Sequence, residues 1–170
     1  RKIEMKKTNK KGFTLVELLA VIVILGVLLM IAVPAIQNVI KKSRKNSFES
    51  AAKLAIENVE TIASTEKVSA TISECFVPIT EYKYTVNSKT ETVPKMELER
   101  GSFGENAIGY IKVNSEGKGT IYLKNDDYLV NGNTLDAVSA VSVTNENKNT
   151  ITEATMKNTI SSNICTWYYN

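Results

Sequence analysis

The chain of 170 residues holds 21 basic and 18 acidic side chains, two cysteines and no histidine, which excludes Ser-His-Asp, Cys-His and HExxH chemistry outright. Charge is segregated along it: residues 1–12 carry six bases and one acid, whereas residues 46–170 carry eleven bases against sixteen acids, a net charge of −5. An acidic body of this kind offers no general nucleic-acid-binding surface.

The basic segment leads into Leu18 to Ile36, LLAVIVILGVLLMIAVPAI, a run without a charge or a side-chain hydrogen-bonding group. As a helix it spans roughly 28 Å, enough to cross a bilayer core. A helix that is apolar all round needs apolar neighbours on every side or lipid, and so short a chain can hardly supply the neighbours. The six bases before the run place the N-terminus in the cytoplasm by the positive-inside rule. Lys41, Lys42, Arg44 and Lys45 follow closely and weigh against that orientation, but they lie beside the span, within reach of lipid headgroups. A secretory signal peptide also starts basic, but its apolar core is shorter and closes on a small-residue cleavage site, and no convincing one follows Ile36.

Immediately before the apolar run stands Lys10-Lys11-Gly12-Phe13-Thr14-Leu15-Val16-Glu17. This segment resembles the recognition sequence of the type IV prepilin peptidase. Residues 10 to about 45 resemble a type IV pilin, through the glycine, the phenylalanine after it, the Thr-Leu-x-Glu-Leu segment and the punctuation by Gly26 and Pro34. The resemblance implies cleavage between Gly12 and Phe13, methylation of the new Phe13 amine and polymerisation through the bundled apolar helices. The implied partners are other pilin subunits, the prepilin peptidase, the pilus assembly machinery and, before assembly, the cytoplasmic membrane. No cofactor is implied. Adhesion, motility and biofilm formation are the family's roles.

Glu17 is the charge that needs explaining, since a carboxylate at membrane depth costs about 2 to 3 kcal/mol. One account offsets it with the ammonium released at Phe13, on its own chain or on a neighbour, and the resemblance selects the neighbour. The other makes it a shallow interfacial glutamate capping the helix N-terminus, stabilised by the macrodipole. Pro34 removes the hydrogen bond to the Met30 carbonyl and Gly26 adds a second weak point. Both residues are ordinary in membrane helices. The resemblance assigns them a local unwinding when subunits pack into a fibre.

Beyond Ile36 the pattern turns amphipathic, with Ile40, Phe48, Ala51, Ala52, Ala55, Val59, Ile62 and Ala63 at three- and four-residue spacing. One helix from Phe13 to about Glu66 is expected. Residues 67–170 show no helical period and favour strands. The clearest hairpin pairs Gly109 to Val113 with Thr120 to Lys124, placing Ile111, Val113, Ile121 and Leu123 on one face. Further strands are expected over Phe76 to Val86, Tyr128 to Val130, Ala137 to Thr144 and Ile164 to Tyr169, with Cys165, Trp167 and Tyr169 sharing a face, and Thr144 to Thr150 reads as an exposed loop.

The expected class is therefore α+β: a long N-terminal helix, transmembrane in its first half and amphipathic in its second, packed against an antiparallel β-sheet head. Its divisions are a leader at 1–12, a transmembrane or filament-core segment at 13–36, an amphipathic segment at 37–66 and the head at 67–170. Cys75 and Cys165 bracket the sheet region and either form a bridge or remain two buried thiols. Asp126, Asp127 and Asp136 are weak calcium candidates, as in pseudopilins that the chain resembles, against the default of a solvated turn. Lys118-Gly119-Thr120 is a turn rather than a phosphate cradle, because the upstream glycine and following helix of a P-loop are missing.

A structural pilus subunit is the leading function. A pseudopilin of a secretion or DNA-uptake system is the alternative within the class. Outside it, a membrane-anchored adhesin or ligand-binding protein that does not polymerise has no use for an intramembrane glutamate after a Gly-Phe junction. No enzyme constellation is present in the sequence.

Overall fold

The computed structural model describes residues 12–161 and 163–169. Apart from Gly12, the expected leader lies outside the described residues. The chain divides into two compact units, Arg1–Lys42 and Ser43–Asn170, and one helix, α1 (Leu15–Ser69), contributes to each.

In the first unit α1 is apolar on every face. From Leu18 to Leu25 each large apolar side chain is more than half exposed, and by length and composition the helix can cross a membrane. It begins at Leu15 rather than Phe13, because Thr14 supplies the cap, and remains helical through Gly26 and Pro34.

In the second unit the amphipathic part of α1 covers a five-stranded antiparallel sheet. Its strands are β1 (Cys75–Pro78), β4 (Ile108–Val113), β5 (Gly119–Lys124), β6 (Tyr128–Thr134) and β7 (Val141–Ser142), in that spatial order. The remaining strands, β2 (Tyr82–Val86) and β3 (Lys89–Val93), form a separate hairpin. The α+β layout expected from the sequence is present, one long helix on an antiparallel sheet.

Phe48, Ala51, Ala52, Ala55, Ile56, Val59 and Ala63 of α1 share one core cluster with Val77, Ile111, Val113, Ile121, Leu123 and Val130. Each fully buried Val, Ile or Leu contributes about 1.5 to 3 kcal/mol. The stripe differs from expectation in three places: Ile56 belongs to it, Ile62 is only half-buried, and Ile40 is not part of it. Ile40 lies in the first unit and is 45% exposed. Gly119 lets β5 approach α1 closely, since a methyl group on it would stand 3.1 Å from Ile56 Cγ2. Two glutamates complete the packing. Glu60 Oε1 accepts from the Gly119 N–H at 2.9 Å while Oε2 meets Lys118 Nζ at 3.1 Å, and Glu49 Oε1 accepts from the Ala140 N–H at 2.8 Å. Each fastens a backbone segment of the head to the helix at a donor that would otherwise lack a partner in the sheet ladder.

The β4–β5 hairpin has the register Ile111↔Ile121 and Val113↔Gly119, with Ile111, Val113, Ile121 and Leu123 all fully buried. Four other expectations are corrected. Phe76 to Val86 is two strands: the chain stays on β4 as far as the Ile79 N–H, which reaches the Gly109 carbonyl at 2.9 Å, then bends away, and β2 pairs with β3 across a tight turn at Asn87 and Ser88, both with positive φ. Ala137 to Thr144 yields only a 3-10 turn at Leu135–Ala137 and the short β7, because the Ala140 N–H is taken by Glu49 and the Ala137 carbonyl by the Asn133 side chain at 2.7 Å.

The last segment is not a strand. Ile164 makes a single parallel bridge to Phe76, and Thr166–Tyr169 winds into a 3-10 turn closed by the Tyr168 N–H on the Cys165 carbonyl at 3.0 Å. A strand would send alternate residues to solvent, whereas the turn lets the consecutive Trp167, Tyr168 and Tyr169 all pack against apolar residues. Finally, the head contains a second helix, α2 (Glu153–Ile160), opened by a Thr152–Thr155 capping box. Its Met156 and Ile160, four residues apart, join Phe76, Tyr110 and Leu129 in a second cluster on the other face of the sheet.

Burial pushes the phenols of Tyr82, Tyr110, Tyr168 and Tyr169 above their ordinary value, and at Tyr169 the charges of Tyr168 and Tyr84 add to it. The folded head keeps these protons after the unfolded chain starts to lose them near pH 10. Their contribution to stability is therefore complete below about pH 10 and falls as pH rises further. The denaturation midpoint is expected to drop above that pH as phenolate absorbance rises in step with unfolding. Phenolate appearing at the ordinary value in an intact fold would contradict this.

Candidate functional site

The start of α1 is built by its own sequence. Gly12, Phe13 and Thr14 are exposed and non-helical, with Phe13 92% exposed. Thr14 Oγ1 accepts from the Glu17 N–H at 3.2 Å, and Glu17 Oε2 accepts from the Thr14 N–H at 2.8 Å and from its hydroxyl at 2.9 Å. This reciprocal arrangement is a capping box, and it gives the carboxylate a local role at the positive end of the helix dipole. The sequence reading named Glu17 but missed Thr14, although Thr-x-x-Glu before an apolar run is the signal for this cap. The Gly12–Phe13 peptide thus sits in exposed, non-helical chain just outside the cap, with no side chain on its glycine and nothing within 4 Å of where a Cβ would be.

Further along, Gly26 is likewise open to its surroundings, and Pro34 interrupts the backbone ladder eight residues, or about 12 Å, beyond it. Neither touches the N-terminal constellation, which at this rise is more than one turn away.

Cys75 and Cys165 are joined by a disulfide, with the Cα atoms 5.1 Å apart and 90 residues of sequence separation. The bridge ties β1 to the C-terminal segment beside it, where the Phe76 N–H reaches the Asn163 carbonyl at 2.9 Å and the Cys165 N–H the Phe76 carbonyl at 3.0 Å.

The calcium candidates are not gathered. Asp126 and Asp127 lie on the rim of a cleft of about 480 Å³ that Arg44 and Glu105 also line, and Asp126 Oδ2 already accepts from Asn106 Nδ2 at 2.9 Å. Asp136 follows the whole of β6, about 20 Å of extended strand away from them. Among the described residues no group of three His, Cys, Asp or Glu side chains is disposed to hold a metal ion.

The described N-terminus thus presents an exposed Gly-Phe junction, a capping carboxylate four residues on and an apolar helix of membrane-crossing length. Residues 7–33 match the family described as the prokaryotic N-terminal methylation motif, the class III signal of type IV pilins, which supports a type IV pilin-like or pseudopilin protein. No curated protein and no solved structure matches it. The motif implies processing by a prepilin peptidase and pilus assembly, and with the apolar helix it points to membrane anchoring beforehand and to a structural protein rather than an enzyme.

Proposed function

We propose that this chain is a structural subunit of a type IV pilus, held in the cytoplasmic membrane with its N-terminus inside, cleaved and methylated at Phe13, and polymerised into a surface filament. The observation that carries the reading is the methylation motif set at the head of a helix that is apolar on all faces. Residues 1–12 are the leader, 13–36 the membrane and then filament-core segment, 37–66 the amphipathic segment and 67–170 the head. Once Phe13 carries a free ammonium, Glu17 pairs with the Phe13 of an adjacent subunit, offsetting both charges where water is excluded. Gly26 and Pro34, the two weak points of the ladder, let the helix unwind locally as subunits pack.

Antibody labelling of sheared surface filaments tests the reading. Repeating label along the fibre is expected. Label confined to the membrane fraction, with unlabelled filaments, would contradict a pilus role.

A further inference from the structure

β6 departs from a regular strand at one point. Its pairing with β5 runs Lys124↔Leu129, Leu123↔Val130 and Tyr122↔Asn131, then resumes as Ile121↔Asn133 and Thr120↔Thr134, which leaves Gly132 with no residue opposite it. Gly132 has a φ of +72°, so the irregularity is a bulge with a left-handed glycine at its first position. Crowding does not demand that glycine, because a Cβ there would meet the Tyr122 ring at 3.5 Å, an ordinary contact. The positive φ does.

Asn131 stands immediately before it, and among the 16 asparagines of the chain it is the one followed by glycine. Both residues are exposed. Three other asparagines of the head are tied down: Asn125 Oδ1 accepts from the Asp127 and Tyr128 N–H groups, Asn133 Nδ2 donates to the Ala137 carbonyl at 2.7 Å, and Asn147 Nδ2 donates to the Ser142 carbonyl at 3.0 Å. In a regular strand the ladder on both sides of an asparagine holds the extended backbone that keeps its Cγ away from the next backbone nitrogen. At the bulge the following residue is unpaired and has no side chain to shield its nitrogen. That nitrogen can therefore swing onto Asn131 Cγ.

We propose that Asn131–Gly132 is a self-modification site of the head, at which the asparagine loses its amide through a cyclic imide. The Gly132 nitrogen gives its proton to water and attacks Asn131 Cγ. The Cγ–Nδ2 bond breaks, and Nδ2 leaves as ammonia, taking a proton back from water. Water then opens the ring: breaking the new Cγ–N bond yields aspartate, whereas breaking the backbone C–N bond yields isoaspartate, with the main chain running through Cγ. No oxidant, reductant or enzyme enters. Either product adds a negative charge to an already acidic head. Isoaspartate also adds a main-chain atom to β6 where the bulge already carries a surplus residue, so the buried Val130 and Ile121 beside it can stay in place. The inference stands independently of the membrane and filament readings.

The test incubates the full chain in detergent at mildly alkaline pH, folded and in parallel unfolded in denaturant. Both samples are then digested with pepsin in acid, where ring closure stops, and mapped by mass spectrometry, with isoaspartate counted by enzymatic methyl transfer. The folded chain is expected to gain one mass unit at Asn131, mostly as isoaspartate, about tenfold faster than at any other asparagine, because the steric penalty that a Cβ imposes in such conformations is worth that much in rate. Asn131→Gln, whose imide ring would be one atom larger, is expected to lose the fast step while keeping an amide. An Asn131 that stays intact in the folded chain while the unfolded chain is converted would mean that β6 holds it in strand geometry, and would overturn the proposal. Equal rates at Asn131 and Asn133 would overturn it as well.

Discussion

Cys165→Ser is expected to destabilise the head by about 4.5 kcal/mol, the chain-entropy value for releasing a loop with a sequence separation of 90 residues. Domains of this size are stable by only about 5 to 15 kcal/mol, so the variant should be marginal or unfolded at growth temperature. The bridge also holds the two backbone hydrogen bonds between β1 and the C-terminal segment, and with them the turn that packs Trp167, Tyr168 and Tyr169. Serine and reduction break the same covalent bond, and serine in addition puts a hydroxyl where Cys165 is buried. Denaturant unfolding of the oxidised and reduced parent and of the variant measures both effects, and the oxidised parent is expected to show no titratable thiol when unfolded. Coincident transitions for oxidised and reduced protein would mean that the helix–sheet core alone sets the stability of the head.

Glu17→Ala is expected to leave the membrane pool intact or slightly raised, because it removes a charge that is costly at that depth. Incorporation into filaments should fall by about a hundredfold or more, since stranding the neighbouring ammonium in a dry core costs about 3 kcal/mol or more per contact. Alanine also deletes the capping bonds to Thr14, so it cannot by itself separate the local role from the intersubunit one. Glu17→Gln does separate them. Glutamine can still accept from the Thr14 N–H as a capping-box partner but carries no charge. Membrane pool against sheared fibre, measured for both variants, gives the answer: fibre lost in both assigns Glu17 to assembly through its charge, and normal fibre in Glu17→Gln reduces it to a helix cap.

What the sequence revealed follows the range over which each signal acts. The membrane-length helix, its amphipathic continuation and the β4–β5 hairpin were legible because their periodicities are local and strong: Ile111, Val113, Ile121 and Leu123 alternate as a half-buried hairpin must. The C-terminal 3-10 turn was not, because the alternation of Cys165, Trp167 and Tyr169 favours a strand until the contacts to Phe76 and Cys75 bend the chain. α2 escaped for another reason: eight residues with Thr155 and Thr159 in them have weak helix propensity, and only the packing of Met156 and Ile160 under the sheet makes the helix worthwhile. At the N-terminus, Glu17 stood out by its charge and as a helix cap, whereas Thr14, its partner in the capping box, was taken only as part of the cleavage motif. The Asp136 position depended on where β6 ran, which no spacing rule could supply.

The central claim concerns a covalent event at one peptide bond, between an exposed glycine and an exposed phenylalanine at the head of α1. N-terminal sequencing with intact-mass analysis of this chain recovered from sheared surface filaments reads that bond directly. The expected product begins at Phe13, lacks residues 1–12 and carries a methyl group on its terminal nitrogen. Filament material whose chains still contain Lys10 and Lys11 would contradict the account.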